Sequence, residues 1–148
     1  MPEDILPGPG ADGAATRVLQ RYVFVYGTLR QGDDNDITRL LPAPRYIGTA
    51  TVMGVMYHLG GYPGVVLGAG AKAGPVTGEV YAIEAALERR LDEIEELYPQ
   101  QKDEYFKRLV PVQMAGQRLL CVCYEINPRY TAGARVIASG DWVKDRHA

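Results

Sequence analysis

The chain has 148 residues, 47% of them hydrophobic and 23% charged. That is the balance of one globular domain able to bury about 68–70% of its unfolded surface without disulfide or metal staples. A formal charge of −2 with no basic run argues against a nucleic-acid partner, and no apolar stretch reaches the ~18 residues of a membrane span.

The first segment, "MPEDILPGPGADGAATR", has neither the basic start nor the apolar core of a secretory signal. Rich in Gly, Pro and Ala, it is expected to be a disordered leader over 1–20, ahead of a single domain at 21–148. The expected compartment is the cytoplasm. Residues 22–26 then read as a buried strand ending in Val23-Phe24-Val25-Tyr26, and Gly27-Thr28-Leu29-Arg30 turns the chain. A short helical turn fits residues 33–45, stopped by Pro42 and Pro44. "YIGTATVMGVMYHLG" reads as a long strand bent or bulged at a glycine, and "GGYPGVVLG" as a turn and a short strand. In "GPVTGEVYAI", Val76, Val80 and Ala82 share one parity of a further strand, Glu79 and Tyr81 the other.

"EAALERRLDEIEELYP" is the one clear helix, ended by Pro99. Leu87, Leu91, Ile94 and Tyr98 form its apolar stripe, with Glu95 about 80° from Leu87 at the stripe edge. Glu84 and Glu88 lie on that edge too, whereas Asp92 and Glu96 point progressively toward solvent. Periodicity alone does not choose among the edge acids, and a run of helix carboxylates is ordinarily a solvated face. Two strands follow, at 105–113 and 118–126, joined by "MAGQ", and the tail "ASGDWVKDRHA" reads as irregular. Cys121 and Cys123 alternate on one strand face, badly placed to bridge each other. With His58 and His147 they make no zinc spacing, so they read as core. The whole is an α+β domain with a mostly β core.

Four segments in order carry a family resemblance: "VFVYGTLRQG" with Asn35 beyond it, "GGYPGVV", "GEVY" and "LDEIE". Together they resemble the gamma-glutamylcyclotransferase-like family, from about Tyr22 to Trp142, and "SGDW" resembles its bacterial gamma-glutamylamine cyclotransferase-like subgroup. The fold this resemblance implies is α+β, a small mixed β-barrel of about five to seven strands with one main helix. The resemblance implies an enzyme that converts a γ-glutamyl amine or small γ-glutamyl peptide into 5-oxoproline and the free amine. It implies that Tyr26, Gly27, Thr28 and Leu29 bind the glutamyl moiety and that Glu95 is the general acid/base, with Asn35 and Tyr105 in support. The family usually has Gly directly after the catalytic Glu, where this chain has Glu96, and Tyr two residues before an Arg, where Phe106 precedes Arg108.

The residue types suit that chemistry. The substrate's own α-amine would attack its γ-carbonyl, so no Ser or Cys nucleophile is needed. One carboxyl group with a raised pKa can take the ammonium proton and return it to the departing amine. Backbone N–H groups of a glycine-containing turn can hold the negative charge that develops. No metal or cofactor is expected, and the expected partner is a small γ-glutamyl molecule; monomer and homodimer both stay open. Two other classes compete: a non-catalytic small-molecule binding or regulatory protein on the same fold, and an interaction domain with no pocket. Outside the resemblance, Tyr62-Pro63 reads as a turn former and Arg108 as a strand-surface residue.

Overall fold

The computed structural model describes residues 20–97 and 103–146, without the side chains of 96 and 97. All of the expected leader except Gln20, together with Tyr98, Pro99 and His147, lies outside the described residues. Among the described residues seven strands form one sheet: β1 Arg21–Val25, β2 Arg45–His58, β3 Pro63–Leu67, β4 Gly74–Ile83, β5 Tyr105–Met114, β6 Gln117–Ile126 and β7 Arg135–Val136. The order is β3-β2-β4-β1-β6-β5, with β7 pairing β2. β1 lies parallel to β6, in register Tyr22 with Cys121, and the other pairs are antiparallel. The sheet is therefore mixed, and it curls into a half-barrel with one main helix, α1 Ala85–Leu97.

The curl brings the start of β3 against the end of β6. A Cβ on Gly64 would stand 2.7 Å from Ile126 Cβ, so this close approach requires glycine. Beside it, the Leu67 N–H donates to Glu125 Oε2 at 2.9 Å. The expected bulge lies between Tyr46 and Gly48, where the register of β2 on β4 shifts.

Strand alternation feeds two cores. Inside the curl, Phe24, Tyr26, Met56, Val65, Val76, Val80, Cys121, Cys123 and Trp142 pack together. On the outer face, Val23, Val25, Tyr81, Ile83, Val122 and Tyr124 pack with Leu87 and Leu91 of α1. The central strands are thus covered on both sides, which is why β1 is a continuous apolar run rather than an alternating one. Both cysteines are buried and free, on the face they share with Phe24.

The tail corrects the irregular reading. Residues Trp142–Arg146 form a short helix, α2. The Asp141 side chain accepts from Lys144 N at 3.1 Å and its carbonyl from Asp145 N at 2.9 Å, the capping role for which Asp is favoured. Trp142 is only 3% exposed, in the inner core, with its ring 5.4 Å from that of His58. The tail is therefore part of the folding unit. Trp142→Ala is expected to cost about 3–5 kcal/mol, read as a lowered urea midpoint. An unchanged midpoint would show that the tail is dispensable.

Candidate active site

The sharp exit from β1 is built by hydrogen bonds. Arg30 N donates to Gly27 O at 3.0 Å, Asn35 N to Thr28 O at 2.9 Å and Ile37 N to Leu29 O at 2.9 Å. Asn35 adds its side-chain amide to Thr28 Oγ1 at 3.0 Å, so it braces the turn. Ile37 and Leu29 anchor the loop in the outer core. The turn is also held from β4: the buried Glu79 accepts from Arg30 Nε at 3.1 Å, Gln31 N at 2.9 Å and Tyr81 Oη at 2.8 Å. Arg30 reaches onward to Asp141 at 2.9 Å. Gly27 has a reason of its own for lacking a side chain, since a Cβ there would meet Pro63 Cγ at 2.8 Å. The β1 exit and the entry to β3 touch at that point.

A cavity of about 200 Å³ opens beside this contact. Its wall includes Tyr26, Gly27, Thr28, Leu29 and Asn35 from the first loop, Tyr62 and Pro63 ahead of and at β3, Ile94 and Glu95 from α1, Glu104 and Tyr105 at β5, and Tyr124 of β6. All seven residues named from the sequence thus border one space. The amino-acid pattern gave no sign of Glu104 or Tyr124, and it presented Tyr62 only as a turn former. Tyr124 was the most accessible of these, because it shares strand parity with Val122 and so faces α1. Tyr62 and Glu104 sit in irregular segments without periodicity. Arg108 lies elsewhere, half-exposed and paired with Glu125 at 2.9 Å.

The tyrosine hydroxyls are committed to the protein. Tyr26 Oη donates to Tyr124 O at 2.6 Å and accepts from Val65 N at 3.2 Å. Tyr105 Oη donates to Pro63 O at 3.0 Å, and Tyr62 Oη to Glu104 Oε2 at 2.5 Å. Tyr124 Oη donates to Asp92 Oδ1 at 2.6 Å. Asp92 therefore does not point into solvent as the helical spacing implies: a strand residue captures it, and Lys107 pairs with it at 2.9 Å. Glu88 is likewise taken up, by Arg21 and Lys107, and its carboxyl is held down at about 2, chiefly by the Arg21 hydrogen bond. Glu84 is exposed. Of Glu84, Glu88, Asp92 and Glu95, Glu95 alone lines the cavity.

Burial is the first cause, and the negative charge of Glu104 the second, that pushes the Glu95 carboxyl up to about 7. Removal of water disfavours the charged form. Among the described residues, the cavity wall contains Asp34, Glu95 and Glu104 but no Lys, Arg or His. Among the described residues no three His, Cys, Asp or Glu side chains gather as a metal-holding group. The chemistry available is that of a proton-accepting carboxyl group facing a hydrogen-bonded backbone turn.

Comparison with known proteins gives a consistent result. The family model described as "Gamma-glutamyl cyclotransferase, AIG2-like" matches residues 23–144. The gamma-glutamylcyclotransferase family protein YtfP of Escherichia coli K12 is 30% identical over 122 residues, 82% of this chain and 95% of that protein. Gamma-L-glutamyl-butirosin B gamma-glutamyl cyclotransferase of Niallia circulans is 34% identical over 83 residues, 55% of this chain and 50% of that protein. Among solved structures, YkqA from Bacillus subtilis superposes with a TM-score of 0.65 at 28% identity, over 86% of this chain and 41% of that one.

The raised Glu95 pKa has a consequence for stability that needs no substrate. The folded carboxyl holds its proton more tightly than the unfolded one, whose ordinary value is 4.5. Its contribution is therefore fully present below about pH 4.5 and is lost as pH rises through about 7. The loss is about 3 kcal/mol at ~1.4 kcal/mol per pK unit. Relative to wild type, Glu95→Gln should gain about that much stability between pH 4 and pH 8 in urea titrations. A pH-independent difference would place Glu95 in water.

Proposed function

The chain belongs to the gamma-glutamyl cyclotransferase, AIG2-like family, and we propose that it converts a γ-glutamyl amine or small γ-glutamyl peptide into 5-oxoproline and the free amine. The observation that carries this reading is the shared cavity: a desolvated Glu95 carboxyl with a pKa near 7 stands in one wall and the Gly27–Leu29 turn in another.

The proposed reaction runs in two proton transfers at Glu95. Its carboxylate removes a proton from the substrate's α-ammonium group, and the freed nitrogen attacks the γ-carbonyl carbon. A carbon–nitrogen bond forms, closing a five-membered ring, and the carbonyl electron pair moves to oxygen. The backbone N–H groups of Gly27, Thr28 and Leu29 stabilise that oxyanion, a contribution that grows when water is excluded. Glu95 then protonates the departing nitrogen as the original amide bond breaks, and the remaining ammonium proton leaves with the amine or to solvent. A pKa near neutrality suits both transfers. The cavity also folds the glutamyl chain toward ring closure, which lowers the entropic part of the barrier. Asn35 supports this indirectly, by holding Thr28, and Tyr105 by fixing Pro63 against Gly27.

Purified protein incubated with a panel of γ-glutamyl amides should release 5-oxoproline, detected by mass spectrometry, with kcat/KM rising as pH increases through about 7. Glu95→Gln should lower kcat at least about a hundredfold with an unchanged circular dichroism spectrum. Ligand-induced thermal stabilisation without product from any panel member would replace this reading with non-catalytic binding.

A further inference from the structure

Glu104 is a carboxylate for which the two proton transfers have no use. It is 2% exposed and forms part of the wall that holds Glu95. Tyr62 donates to its Oε2, while Oε1 has no hydrogen-bond partner among the described residues. A carboxylate oxygen stripped of water and left unpaired is costly in a folded protein. Among the described residues no cationic side chain lines the cavity to answer it. The cost would be relieved by a cation that arrives with the ligand.

From this geometry we infer that Glu104 Oε1 accepts a hydrogen bond from the substrate's α-ammonium group and holds that group beside Glu95. The inference rests on the cyclotransferase reading. An ammonium group carries three donors, and the reaction directs one of them at Glu95. A second acceptor in the same wall fixes the nitrogen's orientation, so that its lone pair, once formed, faces the γ-carbonyl. Both residues line the cavity, and the charge of Glu104 is felt at Glu95. The remaining titratable groups of that wall among the described residues are Asp34 and the tyrosines Tyr26, Tyr62, Tyr105 and Tyr124, the last four with hydroxyls already bonded to protein acceptors. This arrangement selects for a free α-amine: an α-N-acylated or α-deaminated substrate would leave Oε1 unpaired and should be rejected.

The test compares γ-glutamyl methylamide with N-methylglutaramic acid, the same molecule without the α-ammonium group. Calorimetric titration of the Glu95→Gln protein removes both turnover and the charge of Glu95. In that background the ammonium-bearing compound should bind at least about tenfold more tightly, and adding Glu104→Gln should abolish the difference. Glu104→Gln keeps the side-chain shape and an acceptor for Tyr62. Alone, it should raise KM at least about tenfold; the accompanying shift of the acid limb of the kcat/KM profile to lower pH follows from the lost charge whatever Glu104 binds, so the lost preference for the ammonium-bearing compound is the readout that a merely structural role would not move. Equal binding of the two compounds by Glu95→Gln overturns the assignment even if the double variant does not fold, and so does a preference that survives in the double variant. If the wild-type protein releases no 5-oxoproline, the cyclotransferase reading falls while this binding comparison still decides what Glu104 receives. If turnover is normal and the preference survives without Glu104, only the assignment falls.

Discussion

The buried ion pair between Arg30 and Glu79 joins three parts of the chain that are distant in sequence. Glu79 lies on central strand β4, Arg30 in the turn after β1, and Asp141, which also receives Arg30, caps the tail helix. Taking two charges out of water is favourable only when their hydrogen bonds are satisfied. Here they are: Glu79 accepts from Arg30, Gln31 N and Tyr81, and Arg30 donates to two carboxylates. The pair holds the backbone of the turn in one shape. Through Pro63, which packs against Gly27, it also sets where the β3 entry stands. The cavity forms between those two segments.

The electrostatics of the cavity follow from what its tyrosines do. Each hydroxyl of Tyr26, Tyr62, Tyr105 and Tyr124 is spent on a protein acceptor, so the rings present mainly apolar surface to the interior. This is the low-polarity setting that raises the Glu95 carboxyl. On the same helix, Glu88 is held low by Arg21 and Lys107. Two glutamates seven residues apart thus differ by several pK units because one has cations beside it and the other has aromatic rings and a second acid.

Much of the fold could be read from local signals. The strand at Arg21–Val25, the bulged strand of 45–58, the hairpin of 105–126 and the helix Ala85–Leu97 follow from β-branched runs, glycine placement and a 3.6-residue stripe. The alternation of Cys121 and Cys123 was enough to place both in the core. The tail was missed because five residues carry too little periodicity to register as a helix. Its order comes from Asp141 as a cap and Trp142 as a core anchor.

For the site, the chain alone determined that a strand must end at Gly27 in a hydrogen-bonding turn and that acids line one helix edge. Both depend only on neighbours within a few residues. It did not separate Glu95 from Glu84, Glu88 or Glu79, because their differences arise from partners that only folding brings near. Arg21 and Lys107 claim Glu88, Tyr124 and Lys107 claim Asp92, Arg30 claims Glu79, and Glu95 is left lining the cavity with Glu104. The curl of the sheet decides those distances. A carboxyl group's pKa is a property of the water, charges and donors around it, and none of these is encoded by its position along a helix.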